Sequence, residues 1–461
     1  MEDKHFHHAL KFMEETCYGC SHCMRVCPTE AIRICNGKAT LLENRCIDCG
    51  ECYRVCPVSA IYVEQDDFNK IFNFKHRVAI VPSVLVGQFK SAIATEDIYA
   101  TLIDIGFTHI YEIDNSVEIV IDQFHEYMKL KPEPRPLISC FCPAIVRLIQ
   151  VRFPSLTENI IPIKPPIDIA SHYYKKQLID KGAAPEDIGL FYLTPCAAKI
   201  AAVKSPVGED VSVIDGVINM DLIYNRILRH INTHKESAQR FIERDHVSSN
   251  GVQWSLTKGE ANNMPGRCMA IDGMHNAIEF LEKIENDEIT GIDFLEIRAC
   301  DESCAGGILL SANRFTTVER IRKRAQNYHT DEIKQAKHKG INDYIEYLKQ
   351  HIFVEKIRPR PIMKLDEDTQ KALEKVQKVR KLMCFLPGFD CTACGSPSCQ
   401  ALAQDIVQGN AQLTHCVFMQ KKMERNGKLS NDTAYNIIEK VWGKNRLEKN
   451  CNKKGAENES L

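Results

Sequence analysis

Residues 17–57 read CYGCSHCMRVCPTEAIRICNGKATLLENRCIDCGECYRVCP, and one pattern occurs in them twice: three cysteines spaced by two residues, then a fourth followed by proline. The repeats start at Cys17 and Cys46, so the stretch is an internal duplication. A thiolate at every third residue lets one tight loop set three sulfurs around one iron–sulfur cube, while the fourth, carried off on the next helical turn, faces the other cube. The ligand sets then cross over, with Cys17, Cys20, Cys23 and Cys56 in one and Cys46, Cys49, Cys52 and Cys27 in the other. Structural zinc sites also favour CxxC pairs, but the triple spacing and both CP steps argue against them. The apolar segments AIRI and AIYV that follow each CP predict short strands.

With all eight ligands in place, the stretch resembles a two-cluster ferredoxin. The chain around it has 461 residues, which favours two to four domains over a single core. A formal charge of −2 with 26% charged residues gives no basic field for nucleic acid or an anionic membrane. No apolar run reaches the length of a bilayer span, and the start MEDKHFHHAL lacks the basic and apolar regions of a signal peptide, so a cytosolic chain without membrane insertion is expected. In that reducing compartment the 21 cysteines read as metal ligands before disulfides. His5, His7 and His8 read as solvated residues of an exposed terminus and receive no role.

Between residues 73 and 355 apolar runs alternate with helical patterns, from HRVAIVPSVLV through TEDIYATLIDIGF, HIYEI and SVEIVIDQFHEYMKL to PLISC. The alternation predicts an α/β domain with mainly parallel sheets. Three strand-like runs end directly in cysteine: PLISCFCP, GLFYLTPC and FLEIRACDESC. Ligands of open parallel sheets bind beyond the carboxyl ends of the strands, so these loci are expected at one sheet edge. Cys142, Cys196, Cys300 and Cys304 would surround one site, with Cys140 as a neighbour. A lone cysteine is more often a small buried core residue, and it is the repetition at strand ends that favours metal.

SCFCPAIVRLIQVRFP, IPIKPP, LTPCAAK and RACDESCAGG, in that order, resemble the cluster-binding motifs of iron-only hydrogenases over roughly residues 75 to 325. The resemblance implies that Cys142, Cys196, Cys300 and Cys304 hold a cubane. It also implies that Cys304 bridges to a diiron subcluster carrying carbonyl and cyanide. Lys199 takes the place of the family's lysine that bonds a cyanide, and Pro166 that of the proline lining this ligand. These assignments make Lys199 and Cys304 the residues closest to catalysis. The chain departs from active members in three places. Phe141 stands where they carry a proton-relaying cysteine, Ala202 where its glutamate partner is usual, and GGILL at Gly306–Leu310 where the motif is glycine-rich. A phenyl ring cannot transfer a proton, so the usual route is missing; Cys140, Asp301 and Glu302 are the nearby groups that would have to replace it. GGILLSANRFTTVERIRK is more similar to the divergent sensory branch of the family than to its high-turnover enzymes.

A third cysteine system, LPGFDCTACGSPSCQALAQDIVQGNAQLTHCVF, spaces Cys391, Cys394, Cys399 and Cys416 by two, four and sixteen residues. Gly388, Gly395 and Pro397 allow the turns of a metal-wrapping loop, and a helical run from Ser398 to Leu413 returns Cys416 to it. This resembles the small four-cysteine 4Fe-4S domain of electron-transport and corrinoid proteins; zinc ribbons use two matched CxxC pairs instead. Cys35, Cys268, Cys384 and Cys451 fit no motif and read as inert thiols. The charged stretch LDEDTQKALEKVQKVRKLM reads as an amphipathic helix packed on its own domain.

The expected architecture is multidomain α/β. A ferredoxin-like module at 1–72 precedes a hydrogenase-like domain at 73–355, a helical linker at 356–384, a small helical Fe–S domain at 385–420 and a polar tail at 421–461 whose end looks disordered. Four 4Fe-4S clusters on one chain describe a wire to a redox protein partner. Two readings stay open: a slow or hydrogen-sensing hydrogenase-like oxidoreductase with a diiron subcluster, and an electron-transfer or scaffold protein whose central cubane lacks one. Direction of electron flow and oligomeric state are not written in the sequence.

Overall fold

The computed structural model describes residues 6–233, 247–328, 339–355, 357–360, 365–366 and 368–447. The chain forms two compact units, and they do not follow the expected domain order. The larger comprises Met1–Ala9, Ile47–Gly50 and Val63–Arg360; the smaller comprises Leu10–Cys46, Glu51–Tyr62 and Pro361–Leu461.

In the smaller unit β1 (Leu10–Phe12) pairs with a later strand, while β2 (Ile32–Cys35) and β3 (Lys38–Leu41) make an antiparallel hairpin. The partner of β1 is β4 (Ile61–Val63), so AIRI and AIYV supply strands as expected. The N- and C-terminal cysteine modules, expected as separate domains, are a single body here. The Ile34 amide donates to the Gly395 carbonyl at 2.8 Å, and Arg45 Nη2 donates to Gln404 Oε1 at 2.8 Å. Arg33 pairs with Asp405 through Nε at 2.6 Å and Nη2 at 3.1 Å. Buried groups of this kind need partners, and each module supplies the other's. Residues expected as a polar tail instead form helices Val417–Arg425, Asn431–Trp442 and Lys444–Leu447. The second of these returns to the hairpin, where Asn36 and Gly37 donate to the carbonyls of Lys440 and Val441, both at 2.9 Å. Cys451 and the final NKKGAENESL lie outside the described residues. The charged linker is helix Thr369–Met383, whose Val376, Val379 and Leu382 pack with Leu402 and Met419 in one apolar cluster.

Two parallel sheets organise the larger unit. The first runs β6 (His109–Glu112), β5 (His76–Val81), β8 (Ile188–Thr194), β9 (Gly216–Asn219) in spatial order. Every residue of β8 and β9 is buried, the continuous apolar pattern of a parallel sheet covered on both faces. The second runs β10 (Cys268–Asp272), β11 (Phe294–Arg298), β7 (Leu137–Ile138). This corrects the expectation of one edge: the cysteine-tipped strands β7 and β11 share a sheet, and β8 belongs to the other. Among the described residues no helix is long and apolar enough to cross a membrane.

Candidate metal centres and a central cavity

Cys17, Cys20, Cys23 and Cys56 line one small enclosed cavity of the smaller unit, the set expected from a crossed-over duplication. Burial pushes the Cys23 thiol up to about 12, with Cys20, Cys17 and Cys56 adding to it. In the second set, Cys52 is raised by burial and then by Cys27. The two repeats match in detail, since Cys27 Sγ accepts from the Ala31 amide and Cys56 Sγ from the Ala60 amide, each at 3.2 Å and four residues on. Cys49 lies on Ile47–Gly50, which belongs to the larger unit, and there Gly50 abuts Ile308 so closely that a Cβ would stand 2.6 Å from Ile308 Cδ1. Neighbouring Asp48 is buried and accepts from the Ala9 amide at 3.0 Å, with His8 Nδ1 at 2.8 Å. His8 is therefore a buried structural residue, unlike the solvated residue expected.

Cys399 and Cys416 are buried and share an apolar cluster with Cys394. Burial lifts Cys394 to about 11, helped by Cys416 and Cys391. Cys399 opens helix Cys399–Val407 and Cys416 caps helix Val417–Arg425, so the helix set between them brings the last thiol back to the loop. Cys391 is the exposed member. Thiols that raise one another in this way can all ionise together only around a group of high positive charge, and that is the chemistry of a metal cluster.

In the larger unit Cys142 and Cys196 are the N-caps of helices Pro143–Arg152 and Ala197–Lys204, and Cys304 lies in the turn Ser303–Gly306. Helix N-termini offer free amides to a thiolate. The backbone amides of Ala299 and Ile145 favour the Cys142 thiolate, and that of Lys199 the Cys196 thiolate, each against the larger effect of burial. Burial dominates the Cys196 thiol, raised to about 12, with Cys304 and Cys142 raising it further against Lys199. These three thiols are therefore one group. Cys300 lies two residues beyond the end of β11, on the same loop as Cys304. That loop turns through Glu302 and Ser303 at φ 59° and 53°, an uncommon conformation for such residues, and Asp272 Oδ2 anchors it by accepting from the Glu302 amide at 3.0 Å. Gly307 lets the loop reach the Cys196 turn, because a Cβ there would meet the Pro195 carbonyl at 2.5 Å.

Beside Cys304 opens a mainly apolar cavity whose wall includes Phe141, Tyr192, Lys199, Ala202 and Trp254. Lys199 Nζ lies 3.7 Å from Cys304 Sγ. Burial opposes the Lys199 charge, yet Cys304, Tyr192 and Cys196 outweigh it and hold the ammonium above its ordinary value. Of the two prolines at the start of helix Pro166–Asp180, Pro165 is on the wall and Pro166 is buried off it, because successive residues at a helix start point in different directions. Among the substitute proton groups Cys140 faces the cavity, its thiol donating to the Ile163 carbonyl at 2.5 Å. Asp301 and Glu302 do not: the Asp301 side chain is 62% exposed and pairs with Arg314 at 3.5 Å.

Sequence motifs gave no sign of several other wall residues. Trp254 Nε1 and Ser255 Oγ are buried without a hydrogen-bond partner among the described residues, and both residues line the cavity. Arg298, buried behind Phe141, binds Glu260 at 2.7 Å, and Glu260 accepts from Ser139 Oγ at 2.7 Å. Asp114 is a buried carboxyl on the wall and Asp168 a half-buried one, each raised to about 7, chiefly by desolvation. Each lies just past a strand or helix start, a placement that no local sequence pattern reveals.

Residues 75–229 match the family model of the iron-only hydrogenase large subunit, C-terminal domain. Residues 16–61 match a 4Fe-4S dicluster domain, and residues 386–418 an Fe-S cluster domain. No curated protein matches the chain in sequence. Among solved structures, an FeFe-hydrogenase HydA(deltaEFG) studied for stepwise H-cluster assembly is 14% identical, with a TM-score of 0.47 over 62% of this chain and 95% of that one. A variant of FeFe-hydrogenase HydA1 from Chlamydomonas reinhardtii is 14% identical, with a TM-score of 0.46 over 62% and 96%. The chain is thus similar to the iron-only hydrogenase large subunit over residues 75–229, with a 4Fe-4S dicluster match before that stretch and an Fe-S cluster match after it.

Proposed function

We propose that the chain is a slow or hydrogen-sensing hydrogenase-like oxidoreductase whose cavity would hold a diiron subcluster at Cys304. Lys199 carries this reading: a buried ammonium 3.7 Å from the Cys304 sulfur, on the wall of a mainly apolar cavity, is placed to hold an anionic ligand. The orphan donors Trp254 Nε1 and Ser255 Oγ on the same wall fit a bound group with polar ligands. Such a group would be held by Cys304 and Lys199. When bound, it supplies the open iron position at which hydrogen is split or formed.

The chain's own contribution is a dry, charged pocket. Apolar walls exclude water, and Lys199 keeps its proton and offers a fixed positive charge. Phe141 and Ala202, both on the wall, offer no proton-carrying group. General acid–base transfer contributes on the order of 10²–10⁴ in rate, so its loss suits slow turnover or sensing. The two ferredoxin sets, the set Cys142, Cys196, Cys300 and Cys304, and the set Cys391, Cys394, Cys399 and Cys416 would each hold a cubane, and the cubanes would supply one-electron transfer to or from a redox protein partner.

The infrared spectrum of anaerobically matured protein tests the reading, because carbonyl and cyanide on iron absorb where no protein group does. Bands that shift under hydrogen are expected. If they are absent while a known hydrogenase matures in the same cells, the central site is a cubane holder and the protein an electron relay or scaffold. Iron analysis is expected to find about sixteen irons before maturation; about eight would remove two of the four cubanes.

A further inference from the structure

The cavity wall carries carboxyls that the cysteine motifs do not employ. Asp168, half-buried in the first turn of helix Pro166–Asp180, lines the cavity. Taking a carboxyl partly out of water is costly unless it is neutral or has a task that needs it. The cavity wall also includes Glu209, whose side chain is 29% exposed, and Glu209 is ion-paired with the ammonium of the buried Lys164. Both carboxyls thus line one cavity, Glu209 with its side chain partly in water, while Lys164 and Lys199 both act on Asp168 through space.

Resting on the reading of the cavity as a hydrogen-binding site, we propose that Asp168 exchanges protons with the cavity and that Glu209 links it to solvent, replacing the route that Phe141 and Ala202 cannot provide. A proton leaving the cavity converts the Asp168 carboxylate to the acid; the acid gives it up by way of Glu209 to water and becomes carboxylate again. Entry reverses the sequence, and no electrons move in either direction.

The electrostatics suit such a group. Burial raises Asp168 to about 7 and Glu209 raises it too, against Lys164 and Lys199. Cys140 also faces it, and its thiol is raised by burial, then Glu260 and Asp168, so it stays protonated and neutral. One turn along the same helix His172 is lowered to about 4, by burial and then Lys164, and adds no charge near neutrality. An acid poised near the working pH is the effective kind for proton exchange.

The first test needs no diiron unit. In the full chain with its cubanes but without maturation, infrared difference spectra across about pH 5 to 8 are expected to show a carboxylic-acid band titrating near neutrality. Asp114 and Glu260 are also raised to about 7, so the Asp168 band is identified by its loss in Asp168→Asn. Glu209→Gln removes a negative neighbour and should move that band's midpoint to lower pH. If Asp168→Asn leaves the spectra unchanged, or Glu209→Gln does not shift the midpoint, the proposal fails. The second test uses matured protein whose carbonyl and cyanide bands are intact. Asp168→Asn and, independently, Glu209→Gln are each expected to slow deuterium exchange between gas and water by tenfold or more. Undiminished exchange with intact bands would overturn the route while leaving the hydrogenase-like reading standing. Absence of those bands from the parent protein would remove that reading, and the route with it.

Discussion

Lys199 Nζ stands 4.4 Å from the centroid of the Phe141 ring. The Arg298 guanidinium carbon stands 4.0 Å from the same centroid, so one phenyl ring attracts two buried cations. Phe141 is thus more than a gap in a proton route, since it stabilises the charge of the lysine that faces Cys304. Each cation–π contact is worth about 0.5–2 kcal/mol, and truncating a buried phenyl ring costs about 3–5 kcal/mol. Phe141→Cys is therefore expected to lower the thermal midpoint of unfolding while raising hydrogen turnover of matured protein about tenfold or more, by putting an exchangeable proton back on the wall. A folded variant with unchanged turnover would show that the missing relay does not limit the rate.

Lys199→Met separates the cubane from the diiron subcluster. The thioether keeps much of the length and apolar contact of the lysine chain but cannot donate to an anionic ligand. Iron content before maturation should stay at the parent value, because Cys142, Cys196 and Cys304 are untouched. The carbonyl and cyanide bands after maturation should fall strongly or vanish. Full-intensity bands in this variant would remove Lys199 from the binding of the group.

How much of this was legible in the sequence depended on whether the signal was local. The crossover of Cys17, Cys20, Cys23 and Cys56 follows from a repeat of adjacent residues, and the structure encloses those four in one cavity. The placing of cysteines after β7, β8 and β11 was equally local and equally readable. Sheet membership was not, because hydrophobic patterning identifies a strand without saying which partner it joins, and β7, β11 and β8 divide between two sheets. Nor was the union of the terminal cysteine modules, which depends on Arg33 meeting Asp405 across 372 residues of chain. Asp168, Trp254 and Ser255 carry no motif and become candidates only when the fold closes a cavity around them.

Asp114 gives the fold a pH dependence of known sign. Its carboxyl is raised to about 7 by burial, with Glu112 adding and Arg324 opposing. Unfolded, it titrates near its ordinary value of 3.8. Between these values the folded chain holds a proton that the unfolded chain has lost, so stability is fullest below the lower value and declines as pH rises through the upper one. Asp114→Asn lacks this slope. The difference in unfolding midpoint, parent minus variant, should therefore be more positive near pH 5 than near pH 8, by an amount on the order of 1–3 kcal/mol in free energy. A difference independent of pH would mean that Arg324 and Ser83 keep Asp114 ionised throughout.

The Arg33–Asp405 pair supplies a test of the smaller unit. Both side chains are only 8% exposed, and Asp405 also accepts from Ser396 Oγ at 3.1 Å, beside the loop that carries Cys394. Removing one partner of a buried pair leaves an uncompensated charge and costs about 3–5 kcal/mol, whereas removing both charges is often close to neutral. Arg33→Met should accordingly destabilise the chain strongly and lower iron content by up to about four atoms, the complement of the C-terminal cubane, because Asp405 no longer anchors that loop. Adding Asp405→Asn should recover most of the stability. If Arg33→Met leaves both thermal unfolding and iron content at parent values, the two cysteine modules do not depend on this contact for their union.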